Sequence, residues 1–274
     1  MRAITPNVYL IPTPIGNYDD ITIRSLNLLK ELEVLFCEDT RETALLLSHY
    51  GIKKKLISSH EHNEEKNGNR LLAYLEQGIS VGIVSDQGTP VISDPGFYLT
   101  KVAIKNEYNV VGLPGATAFV PALITSGLPP LPFLFYGFLN SKETKRKKEL
   151  EHLRYQSATL IFYEAPHRIQ KMLENVLEIF GDRPAAISRE ISKKYEEILR
   201  GTISELIGQV VDIKGELVII IGGRNEGQAE NDLSLKESVN QLLEAGYDLK
   251  EAMKEVAKMR NVSKSDVYRD YHKD

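Results

Sequence analysis

The chain has no tryptophan and a single cysteine, Cys37, among its 274 residues. One cysteine excludes an intramolecular disulfide and any cysteine-cluster metal site. Its neighbours Val34, Leu35 and Phe36 make Cys37 a small buried hydrophobe rather than a nucleophile. Without tryptophan, any stacking on a base falls to tyrosine, phenylalanine or arginine. No run is long and apolar enough to span a membrane. The opening residues, Met1-Arg2-Ala3-Ile4-Thr5-Pro6, carry no apolar core of the signal-peptide kind. The expectation is a cytoplasmic protein with no membrane partner. Excess positive charge is also missing, the net charge being -4. Any nucleic-acid contact must therefore rest on local basic patches. Neither G-x-G-x-x-G spacing nor a Walker A lysine occurs, which leaves an ordinary dinucleotide or P-loop site unsupported.

What the sequence does have is three apolar runs that each open into a rigid turn. Val8-Tyr9-Leu10-Ile11 leads into Pro12-Thr13-Pro14-Ile15-Gly16-Asn17. Val81-Gly82-Ile83-Val84 leads into Ser85-Asp86-Gln87-Gly88-Thr89-Pro90-Val91-Ile92-Ser93-Asp94-Pro95-Gly96. Val110-Val111 leads into Gly112-Leu113-Pro114-Gly115-Ala116-Thr117-Ala118. Glycine lets backbone approach a ligand, and proline stiffens the path. Singly, the first and third are no more than turns. Together with the second they imply a ligand crevice at the carboxyl edge of an α/β sheet.

Short strands alternate with helical patterns through the first half, which predicts a largely parallel sheet. The spacing of Ile23, Leu26, Leu29 and Leu32 predicts a helix within 22–35, and Leu45-Leu46-Leu47 falls in a second. Arg70 to Gln77 reads as a third. The proline-rich connector Gly127-Leu128-Pro129-Pro130-Leu131-Pro132 sets a boundary between an α/β domain of residues 1–126 and a second of residues 127–224. In the second, 133–138, 159–163, 185–187 and 217–221 read as strands, and 142–153 and 167–180 as helices. Residues 224–232 read as a linker. A helix-turn-helix-like module follows at 233–274, with Ser263 as an N-cap.

Seven segments carry a resemblance. They are Pro12–Asn17, Glu38-Asp39-Thr40-Arg41, His60-Glu61-His62-Asn63-Glu64, Ser85–Gly96, Leu113-Pro114-Gly115, Phe162-Tyr163-Glu164-Ala165-Pro166-His167-Arg168 and Ser188-Arg189-Glu190. In this order the chain resembles the tetrapyrrole-methylase superfamily of S-adenosylmethionine-dependent methyltransferases, over nearly its whole length. Within the superfamily it is similar to the branch that methylates a ribose 2′-hydroxyl, that of a cytidine, in bacterial small-subunit ribosomal RNA. The resemblance implies two α/β domains with the methyl donor in the cleft between them, and a homodimer. It places donor contacts at Pro14, at Gln87, Gly88, Thr89 and Ile92, at Thr117 and Ala118, at Glu164, and at Glu190, Glu216 and Leu217. Tetrapyrrole-modifying members usually have a glycine-rich first loop ending in aspartate. Pro12–Asn17 departs from that, as Gln87 departs from an expected small residue.

A ribose hydroxyl is a weak acid, so a nearby base helps the transfer. Candidates are Glu38, Asp39, His60, His62 and Glu190. Glu38 and Asp39 read equally as a charged helix start. His60 and His62 share a face but have no third metal ligand at a suitable spacing, so no metal is expected. For RNA contact the densest basic cluster is Lys142, Lys145, Arg146, Lys147 and Lys148, which reads by default as a solvated helix face. Arg41, Arg168 and Arg189 are further phosphate candidates, Arg189 doubling as a structural ion pair. Lys250, Lys254 and Lys258 form a basic stripe in the tail. Two other readings stand beside ribose methylation: methylation of a tetrapyrrole, and a non-catalytic RNA-binding factor of ribosome assembly.

Overall fold

Val34–Cys37 and Val81–Val84 are buried along their whole length, as strands covered on both faces must be. The computed structural model describes residues 6–60, 63–224, 234–244, 246–259 and 262–272. In it these two runs are β2 and β4 of a five-stranded parallel sheet. Its other strands are β1 (Asn7–Ile11), β3 (Lys55–Ser58) and β5 (Asn109–Gly112), in the order β3-β2-β4-β1-β5. Ile11 and Cys37 both lie beside Val84, so the turns that follow β1, β2 and β4 leave the sheet side by side. The crossovers are α1 (Ile23–Glu31), α2 (Thr40–His49), α3 (Glu64–Glu76) and α4 (Phe97–Lys105), and α5 (Phe119–Thr125) follows β5.

The second sheet is mixed. It contains β6 (Phe133–Phe138), β7 (Thr159–Glu164), β8 (Pro184–Arg189), β9 (Glu197–Thr202) and β10 (Leu217–Ile221), in the order β6-β7-β10-β8-β9. Only β6 and β7 run parallel. Helices α6 (Glu143–Leu153), α7 (Pro166–Phe180) and α8 (Ile203–Ile207) bury their apolar faces in a core with Leu160, Phe162, Ile187 and Ile219. Each fully buried side chain of this size contributes ~1.5–3 kcal/mol. The tail folds as α9 (Leu235–Glu244), α10 (Leu249–Met259) and α11 (Lys264–Tyr271) around a core of its own built on Val239, Val256 and Val267. Ser263 caps α11, accepting from the Asp266 N–H.

Several expectations need correcting. The first helix stops at Glu31, and Ile23 is 80% exposed. A spacing of three drifts by about 60° at each step on a helix of 3.6 residues per turn, so Ile23 and Leu32 point in opposite directions. Leu45, in a run of three leucines, is likewise turned outward. The third helix begins at Glu64, ahead of Arg70. Strand β9 and helices α4, α5 and α8 were not anticipated. The expected linker lies outside the described residues except for Arg224, as does His62.

Candidate active site

Three of the turns are tied to one another by hydrogen bonds. The Thr13 N–H donates to Gly88 O at 2.8 Å, and the Gly88 N–H donates back to Thr13 O at 3.1 Å. The Thr13 hydroxyl donates to Ser85 O at 3.2 Å. The Thr89 hydroxyl donates to Ala116 O at 2.9 Å, joining the turn after β5. Gly88 holds φ +80°, where a side chain would be strained, and a Cβ there would come within 3.2 Å of Ile15. Gly16 is needed for a different reason. The aliphatic stem of Lys193 crosses it so closely that any Cβ would overlap. The Lys193 ammonium then pairs with Glu190 and Glu216, each at 3.1 Å. The first turn is thereby clasped by loops of the second sheet.

Between these turns and the second sheet lies a cavity of about 470 Å³, within the range of a small-molecule site. Gln87, Gly88, Thr89 and Ile92 line it from the turn after β4, and Thr117 and Ala118 from the turn after β5. Glu164, Glu216 and Leu217 line it from the second sheet. Pro14 is buried beneath the first turn, and Ile15 takes its place in the lining. Glu190 also stays out of the lining. Its carboxylate accepts from the Glu216 N–H at 2.9 Å and from Lys193, which together hold its pKa below the usual carboxylate value. That is a loop-fixing role and makes Glu190 a poor base.

The other candidate bases are not among the residues that line the cavity. Asp39 caps α2 and pairs with Arg41 at 2.6 Å, which pulls its pKa down to about 2. The Asp39 N–H donates to Asp86 at 3.0 Å, so the β2 turn is fastened to the β4 turn. Glu38 follows β2 and lies close enough to Asp94 to raise its pKa. His60 is exposed, with its ring Nε2 3.1 Å from the Asn63 amide nitrogen. Cys37 is buried, and burial pushes its thiol up to about 11.

The sequence reading missed Asp86, Asp94, Phe138 and Tyr163, all in the lining. The aspartates were present in the quoted turn, and their density was the available signal. The charge of the lining is one-sided. Asp86, Asp94, Glu164 and Glu216 contribute, and among the described residues no lysine or arginine does. Glu164 Oε2 is buried without a hydrogen-bond partner, while its Oε1 accepts from the Ala165 N–H at 2.8 Å. A buried acceptor left open at a cavity suits a ligand that donates. Apolar surface from Ile92, Phe119, Tyr163 and Leu217 supplies the rest.

The basic candidates divide. Arg146 is a correction: it is 3% exposed, and its Nε–H donates to Asn175 Oδ1 at 2.8 Å. Its Nη1 reaches the Asn140 and Ser141 carbonyls at 3.4 and 3.2 Å. It therefore holds α6 on α7 and offers nothing to RNA. Lys147 pairs with Glu178 at 2.7 Å, Arg189 with Glu197 at 3.0 Å, and Arg168 with Glu164 at 3.1 Å. Lys142, Lys145 and Lys148 are exposed on α6 and the residue before it, and Arg41 is exposed at the start of α2.

Residues 7–207 match the tetrapyrrole (corrin/porphyrin) methylase family. The chain belongs to that family. The resemblance seen in the sequence is confirmed, and with it the two-sheet fold. Ribosomal RNA small subunit methyltransferase I of Bacillus subtilis (strain 168) is 45% identical over 273 residues, covering 97% of this chain and 94% of its own. The protein of the same name from Halalkalibacterium halodurans is 44% identical, covering 97% of this chain and 95% of its own. Among solved structures, uroporphyrin-III C-methyltransferase of Thermus thermophilus superposes with a TM-score of 0.56 at 21% identity, over 79% of this chain and 94% of its own. Diphthine synthase gives a TM-score of 0.59 at 14% identity, over 79% of this chain and 90% of its own. At such identities these structures speak for the fold alone. Among the described residues no helix is long and apolar enough to cross a membrane.

Proposed function

We propose that the protein transfers a methyl group from S-adenosylmethionine to small-subunit ribosomal RNA, and that the acceptor is the 2′-hydroxyl of a cytidine ribose. The first part rests on near-full-length identity of 42–45% to proteins named as ribosomal RNA small subunit methyltransferase I. A solved relative of the same fold was crystallised with S-adenosylhomocysteine. The observation that carries the donor assignment is the one-sided charge of the cavity. The donor supplies an activated methyl on a sulfonium and is cationic overall, and an acidic, largely apolar pocket favours such a ligand.

The residues then have separable tasks. Gly88, Thr89, Thr117 and Ala118 offer backbone and small surface against which a nucleoside can lie. Glu164 and Glu216 present carboxylates to donor hydroxyl or ammonium groups. The clasp of Lys193 over Gly16 keeps the turns in register, and alignment of methyl and oxygen supplies much of the acceleration. Outside the cavity, Arg41 and the exposed lysines 142, 145 and 148 are the proposed phosphate contacts. A homodimer is proposed from family membership.

The test is methyl transfer from labelled S-adenosylmethionine to small ribosomal subunits from cells lacking the gene, followed by nucleoside analysis. Label in 2′-O-methylcytidine is the expected result. Label on a base, or no transfer to subunits or naked ribosomal RNA despite intact donor binding, overturns the acceptor assignment.

A further inference from the structure

The turn between β4 and α4 is strained at two residues. Val91 and Ser93 sit at φ +76° and +63°, in the left-handed region, although neither is glycine. Each such residue costs ~1–3 kcal/mol and persists only where its surroundings over-determine it. The surroundings here are identifiable. Ser93 Oγ lies 3.3 Å from where a Cβ of Gly137 would stand, at the point where the β6–β7 register shifts. At the far end of the turn, the Gly96 N–H donates to Glu64 at 3.0 Å. The turn is wedged between β6 and α3, and what the wedge delivers into the cavity is Asp94.

Asp94 differs from every other carboxylate at the site. Glu190 is saturated by Lys193 and the Glu216 N–H, Glu164 is paired with Arg168, and Asp86 accepts from the Asp39 N–H. Glu216 is paired with Lys193. The groups acting on Asp94 are Glu38, from the end of β2, and Asp86, from its own turn. From the opposite side, Tyr163 of β7 feels its charge. No hydrogen-bond donor and no cation among the described residues offsets them.

Resting on the ribose reading above, we infer that Asp94 takes the proton from the attacking 2′-hydroxyl. As the new oxygen–carbon bond forms, the carbon–sulfur bond of the donor breaks and leaves its electron pair on sulfur. The 2′-O–H bond breaks with it, and the proton passes to the Asp94 carboxylate, which later returns it to solvent. The cationic donor and the anionic carboxylate are both neutralised, so charge balances. Burial, followed by Glu38 and Asp86, lifts the pKa of Asp94 to about 7. A base is most effective with a pKa near the working pH. Glu38 and Asp86 thus tune Asp94 and are positioning residues.

The experiment uses the full-length protein and subunits from cells lacking the gene, with product analysis first. Label on a base in the wild-type product overturns the ribose reading, and the role of Asp94 falls with it. With ribose methylation established, Asp94→Asn is expected to lower kcat by at least about 100-fold. Its affinity for S-adenosylmethionine, measured by calorimetry, should fall by no more than that of Asp86→Asn, since each removes one carboxylate of the lining, so the loss in kcat far exceeds the loss in binding; retained binding also verifies folding. Wild-type kcat should rise with pH along an acid limb and level off above it, because the base must be ionised; the sulfonium of the bound donor sets that limb below the ligand-free value of about 7. That limb should vanish in Asp94→Asn. In Glu38→Gln it should move to lower pH, since removing a neighbouring negative charge eases ionisation of Asp94. A purely structural role would not move the limb. Wild-type kcat in Asp94→Asn, or a loss confined to donor affinity or KM with the acid limb retained, overturns the assignment while leaving the ribose reading intact.

Discussion

Replacing Arg146 by methionine should destabilise the protein without weakening its grip on RNA. The side chain is buried, and methionine fills much the same length without charge or donors. The substitution removes a charge-assisted hydrogen bond to Asn175 Oδ1 at 2.8 Å, a bond of a kind that contributes ~1.5–3 kcal/mol. The two longer contacts, to Asn140 O and Ser141 O, contribute less. Relief of the buried charge returns part of the loss. The expected net is a destabilisation of about 2 kcal/mol. For a protein above ~150 residues this lowers Tm by roughly 4–8 °C. Calorimetric melting measures the shift. RNA affinity titrated against salt measures the other half of the claim, at a temperature where both proteins are folded. The slope of log K against log salt should be unchanged, because no phosphate contact is lost. An unaltered Tm with a shallower salt slope would refute the reasoning and return the guanidinium to the RNA-facing surface.

Three other outcomes follow from the site. Thr117→Arg should abolish donor binding by filling the cavity, with the fold preserved by circular dichroism; normal calorimetric affinity in the folded variant would remove Thr117 from the pocket. Replacing Lys142, Lys145 and Lys148 together by alanine should reduce the RNA salt slope by about 2, at ~0.7–0.9 per phosphate contact; an unchanged slope would leave that face of α6 as solvated surface. Asp86→Asn should weaken S-adenosylmethionine more than S-adenosylhomocysteine, since only the former carries the sulfonium charge; equal losses in competition binding would show that the acidic lining does not read charge.

The sheet strands and the donor turns were legible because both leave local marks. A strand buried on both faces needs an unbroken apolar run, and a turn that presents backbone to a ligand needs glycine and proline. Strand β9 left no such mark. Its sequence, Glu-Ile-Leu-Arg-Gly-Thr, is half exposed and draws its identity from antiparallel pairing with β8. Helix α8 did leave one: Thr202 and Glu205 form a reciprocal capping box, a four-residue signal that sequence inspection can find. The direction of charged side chains was least legible. Arg146 and Lys145 are neighbours in one basic run, yet one is buried and the other exposed, because α6 turns by about 100° per residue. Glu190 was likewise named as a candidate base while Asp94 was passed over. Each is a carboxylate in a turn, and only the arrangement of donors around them separates a saturated group from an open one.

The same acidic lining that suits the donor constrains how the acceptor approaches. RNA carries its charge on phosphates, and Asp86, Asp94, Glu164 and Glu216 repel them from the cavity. A phosphate drawn inward would also have to lose its water without a cation to replace it, since no lysine or arginine lines the cavity among the described residues. On the proposed ribose reading, the backbone stays outside the cavity while a neutral sugar edge turns in. A hydroxyl has no charge to desolvate, and it becomes a competent nucleophile only as its proton leaves. A carboxylate without a donor of its own is then more useful than a paired one, because its lone pairs are open to that proton. An anionic interior without a cation in its lining thus favours the neutral edge of a nucleotide over its phosphate before any base is read.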